Sequence, residues 1–167
     1  EAHYLVPMTG GVINTINTRL DTRTVAYILE HSDCKVFIVD RQFQKVASEA
    51  LSQVDREIVV IDIDDRQAGL GDVPAIGKYE YENFLLTGDE EFEWLKPKDE
   101  WQAISLSYTS GTTGNPKGVV YHHRGSYLMS MGSVSAWNMP NRLTYLYTVP
   151  MFHCNGWGYP WTIPMLN

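Results

Sequence analysis

The chain has 167 residues, 44% of them hydrophobic and 20% charged, which is enough for a domain with a core and argues against a disordered segment. A formal net charge of −7 speaks against a nucleic-acid surface, since a polyanion partner needs a basic face to displace its counterions. Two cysteines, Cys34 and Cys154, with no Asn-x-Ser/Thr acceptor, do not make a secreted disulfide framework, and no apolar run reaches the roughly 18 to 20 residues of a membrane helix; the expected setting is the cytoplasm.

In chain order, a Gly/Asn/Thr-rich stretch "TGGVINTINTR" leads to Asp21, which can cap a helix over 22–32 whose Val25, Ile28 and Leu29 recur at i, i+3, i+4. "CKVFIVD" reads as a buried strand, residues 41–53 return to helical spacing through Phe43, Val46, Ala47 and Leu51, and "EIVVID" is a second β-branched run. Strand, helix, strand predicts a parallel sheet and an α/β fold. From Asp64 to Asp99 the sequence is acidic and punctuated by Gly and Pro, with one helical patch at "YEYENFLL", and predicts a surface excursion. "AISLSYT" resumes the strand pattern. After a glycine loop follow a short strand "GVVY", a helix over 122–136, a strand "LTYLYTVP" and the turn-rich "MFHCNGWGYPW".

The glycine loop carries the chemistry. Ser, Thr and Gly bury little apolar area but bring hydroxyls, flexible backbone and N–H groups that suit a phosphate. The mononucleotide pattern G-x-x-x-x-G-K-[ST] fails here, because the sixth position counted from Gly111 is Pro116 and Lys117 is followed by Gly118 instead of Ser or Thr. What remains is T-S-G-T-T-G-x-P-K-G: the hydroxyls of Thr109, Ser110, Thr112 and Thr113 around Gly111, closed by Gly114, then Pro116 fixing φ ahead of Lys117, a mobile cation. The loop follows a strand's carboxyl end, where open α/β sheets place ligands.

These residues, Thr109 to Gly118 in unbroken order, resemble the signature of the adenylate-forming (AMP-binding) superfamily: acyl-CoA synthetases, luciferases and peptide-synthetase adenylation domains. "AHYLVPMTGGVINTINTRL", "VVYHHRGSYLMSMGSV" and "VPMFHCNGWGYPW" are similar to the flanking stretches of fatty-acyl and medium-chain acyl-CoA ligases. The resemblance implies a partial parallel-sheet α/β-layered N-terminal domain. It also implies two reactions. A carboxylate attacks the α-phosphate of ATP, held with Mg²⁺, and expels pyrophosphate; a thiol, usually that of coenzyme A, then displaces AMP from the acyl adenylate. The substrate carboxylate is itself the nucleophile, so positioning and charge stabilisation are what the protein must supply.

Carried over by position, Thr109, Ser110, Gly111, Thr112, Thr113, Gly114, Lys117 and Gly118 would bind the outer phosphates, with the Thr109 hydroxyl approaching Mg²⁺. His153 would border the acyl and adenylate site as the catalytic-site residue of the second motif, and Trp157 would stand with it at the acyl channel; the alternative for Trp157 is a core aromatic. The expected partners are a small carboxylic acid, fatty or medium-chain, with ATP and coenzyme A, and neither nucleic acid nor a membrane span. A homodimer of the parent is compatible with the family.

Both ends, Glu1 without a preceding Met and Asn167 after "PWTIPML", read as cut, so residues 1–167 are expected to be part of the larger domain, without the C-terminal lid and inactive alone. Three side readings accompany this one. His122 and His123 read as polar punctuation and not zinc ligands, Cys154 as a small buried hydrophobe, and Thr87-Gly88-Asp89 as a turn rather than a ribose-binding aspartate. The rival functions are a ligase for an aromatic or thioether acid and a non-catalytic nucleotide-binding module.

Overall fold

The structure, a computed structural model, describes residues 1–109 and 114–166. The elements are helix α1 (Ala2–Met8), helix α2 (Thr22–His31), strand β1 (Val36–Asp40), helix α3 (Gln44–Leu51), strand β2 (Val59–Ile63), strand β3 (Tyr79–Glu80), helix α4 (Tyr81–Leu85), strand β4 (Ala103–Thr109), strand β5 (Lys117–His122), helix α5 (His123–Ala136) and helix α6 (Tyr159–Thr162). Short 3-10 turns lie at Arg41–Phe43, Arg66–Ala68 and Ile163–Leu166. The chain divides into two compact units, one of residues 18–92 and 110–116, the other of 1–17, 93–109 and 117–167. None of the described helices is long and apolar enough to cross a membrane.

The unit built on residues 18–92 is a parallel β-α-β crossover with one strand added. β1 and β2 pair in parallel from Val36↔Val59 to Asp40↔Ile63, and β3 joins β2 at Ile61↔Tyr79. α2 starts where expected, since Asp21 Oδ1 accepts from Thr24 N at 2.9 Å, and its Val25, Ile28 and Leu29 are buried. Val39, Ala47 and Val60 form the centre of a core against Phe37, Phe43, Leu51 and Ile76. The strand "CKVFIVD" is less buried than expected: Val36 and Ile38 are 50% and 37% exposed, because successive side chains of β1 point to opposite faces and only one face is covered. Backbone N–H groups hold the capping carboxylates of Asp21 and Glu80 below the usual carboxylate range. Their capping is therefore fully present above the ordinary carboxylate pKa and is lost as pH falls through the lowered values.

In the other unit β4 has two neighbours. β5 pairs with it antiparallel from Thr109↔Lys117 back to Ala103↔His122, and Ile13 bridges Ser105 in parallel on the opposite side, with Leu106 N donating to Ile13 O at 2.9 Å. β5 begins at Lys117, earlier than the expected "GVVY". α5 begins with His122 as N-cap, whose Nδ1 accepts from Gly125 N at 2.9 Å. Residues 143–150, expected as a strand, form no ladder among the described residues. Their alternating Leu, Tyr and Val have strand propensity, but a strand also needs a neighbour to pair with; instead Tyr145 stacks on Tyr159 at 4.8 Å and 16°. The expected turn at Thr87–Asp89 is present, with Thr87 Oγ1 donating to Phe84 O and Asp89 Oδ1 accepting from Glu91 N.

One buried carboxylate closes the crossover. Asp62 is 1% exposed, and its Oδ2 accepts from Gly77 N at 2.7 Å and Ile76 N at 3.1 Å. A Cβ on Gly77 would lie 2.7 Å from Val60 O, so the chain passes β2 only as glycine. Asp62→Ala leaves two backbone donors without acceptors and is expected to cost about 2 to 6 kcal/mol in urea denaturation, at about 1 to 3 per group. Asp62→Asn keeps one acceptor oxygen and should cost distinctly less; equal losses would assign the effect to packing.

Candidate functional site

The loop sequence stands on a hairpin. Antiparallel pairing sets Thr109 opposite Lys117 and Tyr108 opposite Gly118, so the two ends of the signature are held side by side by the ladder. Thr109 and Lys117 are exposed, and among the described residues Lys117 enters no ion pair, which leaves its ammonium available to an anion. Gly118 lies at a close approach across the strands: a Cβ there would stand 2.9 Å from Leu106 Cδ1 and 3.4 Å from the Tyr108 ring, so a larger residue would displace the leucine side chain. Gly114 is exposed, and a Cβ on it would meet no atom of the described residues within 4 Å. Ser110, Gly111, Thr112 and Thr113 lie outside the described residues.

The second motif is a compact turn. His153 N donates to Pro150 O at 3.0 Å, while His153 O accepts from Gly156 N at 2.8 Å and Trp157 N at 2.9 Å. The exposed His153 ring accepts from Asn155 N at Nδ1, 3.3 Å, with Cys154 Sγ 3.6 Å from the same nitrogen; in the tautomer that accepts there, the N–H is at Nε2. Gly156 is compulsory, since a Cβ would stand 2.8 Å from Pro150 O. Trp157 turns inward and is 4% exposed. Its ring lies 4.7 Å from Trp161, T-shaped, and 5.6 Å from both Tyr121 and His3.

Tyr121 stands on β5, the strand that opens with Lys117 and Gly118, so its contact with Trp157 ties the hairpin to the His153 turn. Directly beyond His153 a cleft of about 320 Å³ opens between α5 and α6, lined by Met129, Ser133 and Trp137 on one side and by Cys154, Asn155 and Tyr159 on the other. Cys154 is exposed here, contrary to the expectation of a buried hydrophobe, because the turn points it away from the aromatic cluster that takes Trp157. Among the described residues the arrangement has a lysine outside any ion pair and a cleft of mixed polar and apolar lining, with no Ser-His-Asp geometry around it. Such a set can hold and polarise an anionic substrate that brings its own nucleophile.

Sequence reading missed α1 and its His3. The one buried side chain of that helix is a histidine, and Pro7 lies within it, so no apolar period marks it. Burial pushes the His3 imidazole below its ordinary pKa, favouring the neutral ring.

Comparison with known proteins agrees with this geometry. The family of AMP-binding enzymes matches residues 2–167. An acetate/butyrate–CoA ligase of Arabidopsis thaliana, named as peroxisomal, is 44% identical over 177 residues, covering 100% of this chain and 31% of that protein. An acetate–CoA ligase of Humulus lupulus is 46% identical, over 96% of this chain and 30% of that protein, and a 2-methylpropanoate–CoA ligase of the same plant is 40% identical with the same coverage. The fold is also that of o-succinylbenzoate coenzyme A synthetase from Bacillus subtilis, solved with ATP and magnesium ion, at a TM-score of 0.74, 23% identity and coverage of 99% of this chain and 30% of that one. The chain belongs to the AMP-binding enzyme family, and it spans about three tenths of the length of these curated relatives.

The two thiols give a direct check of the turn. Burial pushes the Cys34 thiol up, and its Sγ contacts Val36 O at 3.3 Å, whereas Cys154 is exposed. A disulfide reagent at neutral pH is expected to modify Cys154 in a fast phase and Cys34 at least about tenfold more slowly, in keeping with thiolate fraction and access. Cys154→Ser should remove the fast phase; its persistence would place Cys154 inside.

Proposed function

We propose that the chain is part of the large nucleotide-binding domain of an enzyme that activates a carboxylic acid with ATP and passes the acyl group to coenzyme A. The observation that carries the reading is the hairpin of β4 and β5, with Thr109 opposite Lys117 at the ends of a complete adenylate-forming signature. Exposed apolar side chains support the view of a larger domain: Tyr127, Leu128 and Met131 on α5 are 59%, 53% and 46% exposed, and Val120 on β5 is 62% exposed.

In this reading the hydroxyls and backbone N–H groups of Thr109 to Gly114 cradle the outer phosphates, and the Lys117 ammonium neutralises the pyrophosphate as it leaves. ATP, bound with Mg²⁺, supplies the electrophilic α-phosphorus. A lone Thr109 hydroxyl is a fitting protein ligand for Mg²⁺, an ion that keeps much of its water and takes its other oxygens from phosphate. The acid lies in the cleft beside His153, whose Nε2–H can donate to an oxygen of the acid or the adenylate. Its carboxylate oxygen forms the new bond to phosphorus as the bond to pyrophosphate breaks; in the second step the thiol sulfur attacks the acyl carbon and AMP departs.

For the acid we favour a short aliphatic chain. The sequence resemblance led to a fatty or medium-chain acid, but the relatives are named for acetate, butyrate and 2-methylpropanoate. A medium-chain acid is the second reading, favoured by a cleft of about 320 Å³. The cytoplasm remains the proposed location on cysteine usage, with the peroxisome as the alternative from the names of two relatives.

Lys117→Ala in the complete enzyme is expected to lower kcat/KM for ATP by about 10- to 100-fold, the worth of a charge-assisted hydrogen bond, while the acid's KM moves less. Pyrophosphate release with each substrate varied in turn measures it, and an unchanged ATP dependence would remove Lys117 from the phosphate site.

Trp157→Ala tests the channel. If the indole walls the acid site, its removal shifts the ranking of a straight-chain series from acetate upward, since each methylene gaining or losing an apolar wall is worth about 0.8 kcal/mol. Truncating so buried a ring also costs about 3 to 5 kcal/mol of stability, read by a thermal melt. A uniform fall with every acid would assign Trp157 to packing.

A further inference from the structure

Helix α1 has no assigned role, yet it makes long-range contacts with the segment that follows His153. Trp161 Nε1 donates to His3 O at 2.9 Å, and Tyr4 Oη donates to Pro160 O at 2.8 Å. The His3 ring, 9% exposed, lies 5.6 Å from Trp157 at 42° and 5.7 Å from Trp161 at 75°. His3 Nε2 and Trp157 Nε1 are both buried without a hydrogen-bond partner among the described residues. No polar bond of the indole itself fixes the plane of Trp157, so that plane is set by the rings packed on it.

We infer that α1 is a positioning strap for the acid-site turn: the His3 ring wedges Trp157 into its orientation, while His3 O and the Tyr4 hydroxyl tie down the helix that follows. The inference rests on the acid-activating reading above. His3 does not line the cleft, so it acts on the acid through the indoles of Trp157 and Trp161 on which it packs. A neutral imidazole suits the place, being flat enough to fill the space between two indoles without bringing a charge into it. Without the wedge, Trp157 keeps Trp161 and Tyr121 but loses its third ring, and α6 can shift with Tyr159 and the wall of the cleft.

The test uses the complete enzyme with His3→Ala, His3→Phe and Tyr4→Phe, assayed by acid-dependent ATP–pyrophosphate exchange. His3→Ala is expected to raise KM for the acid about tenfold, the worth of one or two aromatic contacts, and to leave KM for ATP within about twofold. His3→Phe, which keeps a ring in the wedge, should recover most of that loss, and Tyr4→Phe should raise the acid KM about fivefold for one neutral hydrogen bond. Parallel changes in both constants, no change in either, or a Phe variant as impaired as the Ala variant would overturn the strap. Should His3→Ala not fold, Tyr4→Phe decides alone, and an unchanged acid KM overturns the inference. If the wild type shows no acid-dependent exchange, the functional reading fails and the strap is judged separately by acrylamide quenching of Trp157 fluorescence, taken as the difference from Trp157→Phe. Increased quenching in Tyr4→Phe and His3→Ala supports the strap, and unchanged quenching overturns it.

Discussion

The contact between Tyr121 and Trp157 is the interaction on which the candidate site depends. Lys117 and Gly118 can be placed by their own ladder with β4, and the His153 turn can be placed by its own backbone hydrogen bonds, but neither says where one motif stands relative to the other. The ring on β5 meeting the ring at the end of the turn supplies that relation, with Trp161 and His3 closing the cluster. Aromatic side chains serve well here because they are rigid, so a contact between two of them transmits position over several residues at little entropic cost. A cluster of Leu or Met would fill the same volume and leave more freedom in the angle between the hairpin and the turn.

How much of this was legible from residues alone depends on whether the signal was local. The Asp21 cap and the spacing of Val25, Ile28 and Leu29 are local, and α2 stands as read. The β-branched runs of β1 and β2 are local as well, and the α3 pattern between them implied the parallel crossover that the register bears out. Residues 143–150 failed for the complementary reason: strand propensity is local, whereas pairing requires a neighbour. β3, with two residues, is too short to carry any period. The loop signature was legible because residue order carried it; its pairing partners, Thr109 with Lys117, were not, since antiparallel closure follows from the ladder and not from composition.

Helix α5 inverts the usual rule and shows why periodicity can identify a helix yet misplace its faces. Its buried side chains are Ser126 and Ser130, while Tyr127, Leu128 and Met131 stand exposed. Ser126 and Ser130 lie one turn apart, and both are small, as is the buried Ser105 of β4. The hydroxyls of Ser105, Ser126 and Ser130 have no partner among the described residues, so this layer gains from close packing and little from hydrogen bonding. An apolar-in reading would have buried Tyr127, Leu128 and Met131 and exposed the serines.

The chemistry proposed for the site also explains what its residues lack. When the substrate carboxylate attacks, no side chain has to be deprotonated, and a general base close to the phosphates would bring negative charge where it is least wanted. The described residues around the loop fit that requirement: Thr109 and Lys117 on the hairpin, and the exposed His153 ring, whose Nδ1 accepts from Asn155 N and so places its N–H at Nε2. All 20 acidic residues precede Trp101 in the sequence, so the segment that carries the loop, β5 and the His153 turn contributes no carboxylate side chain of its own. A protein can thus be acidic as a whole and still receive a triphosphate, provided that the few groups at the receiving end are neutral donors and one unpaired cation.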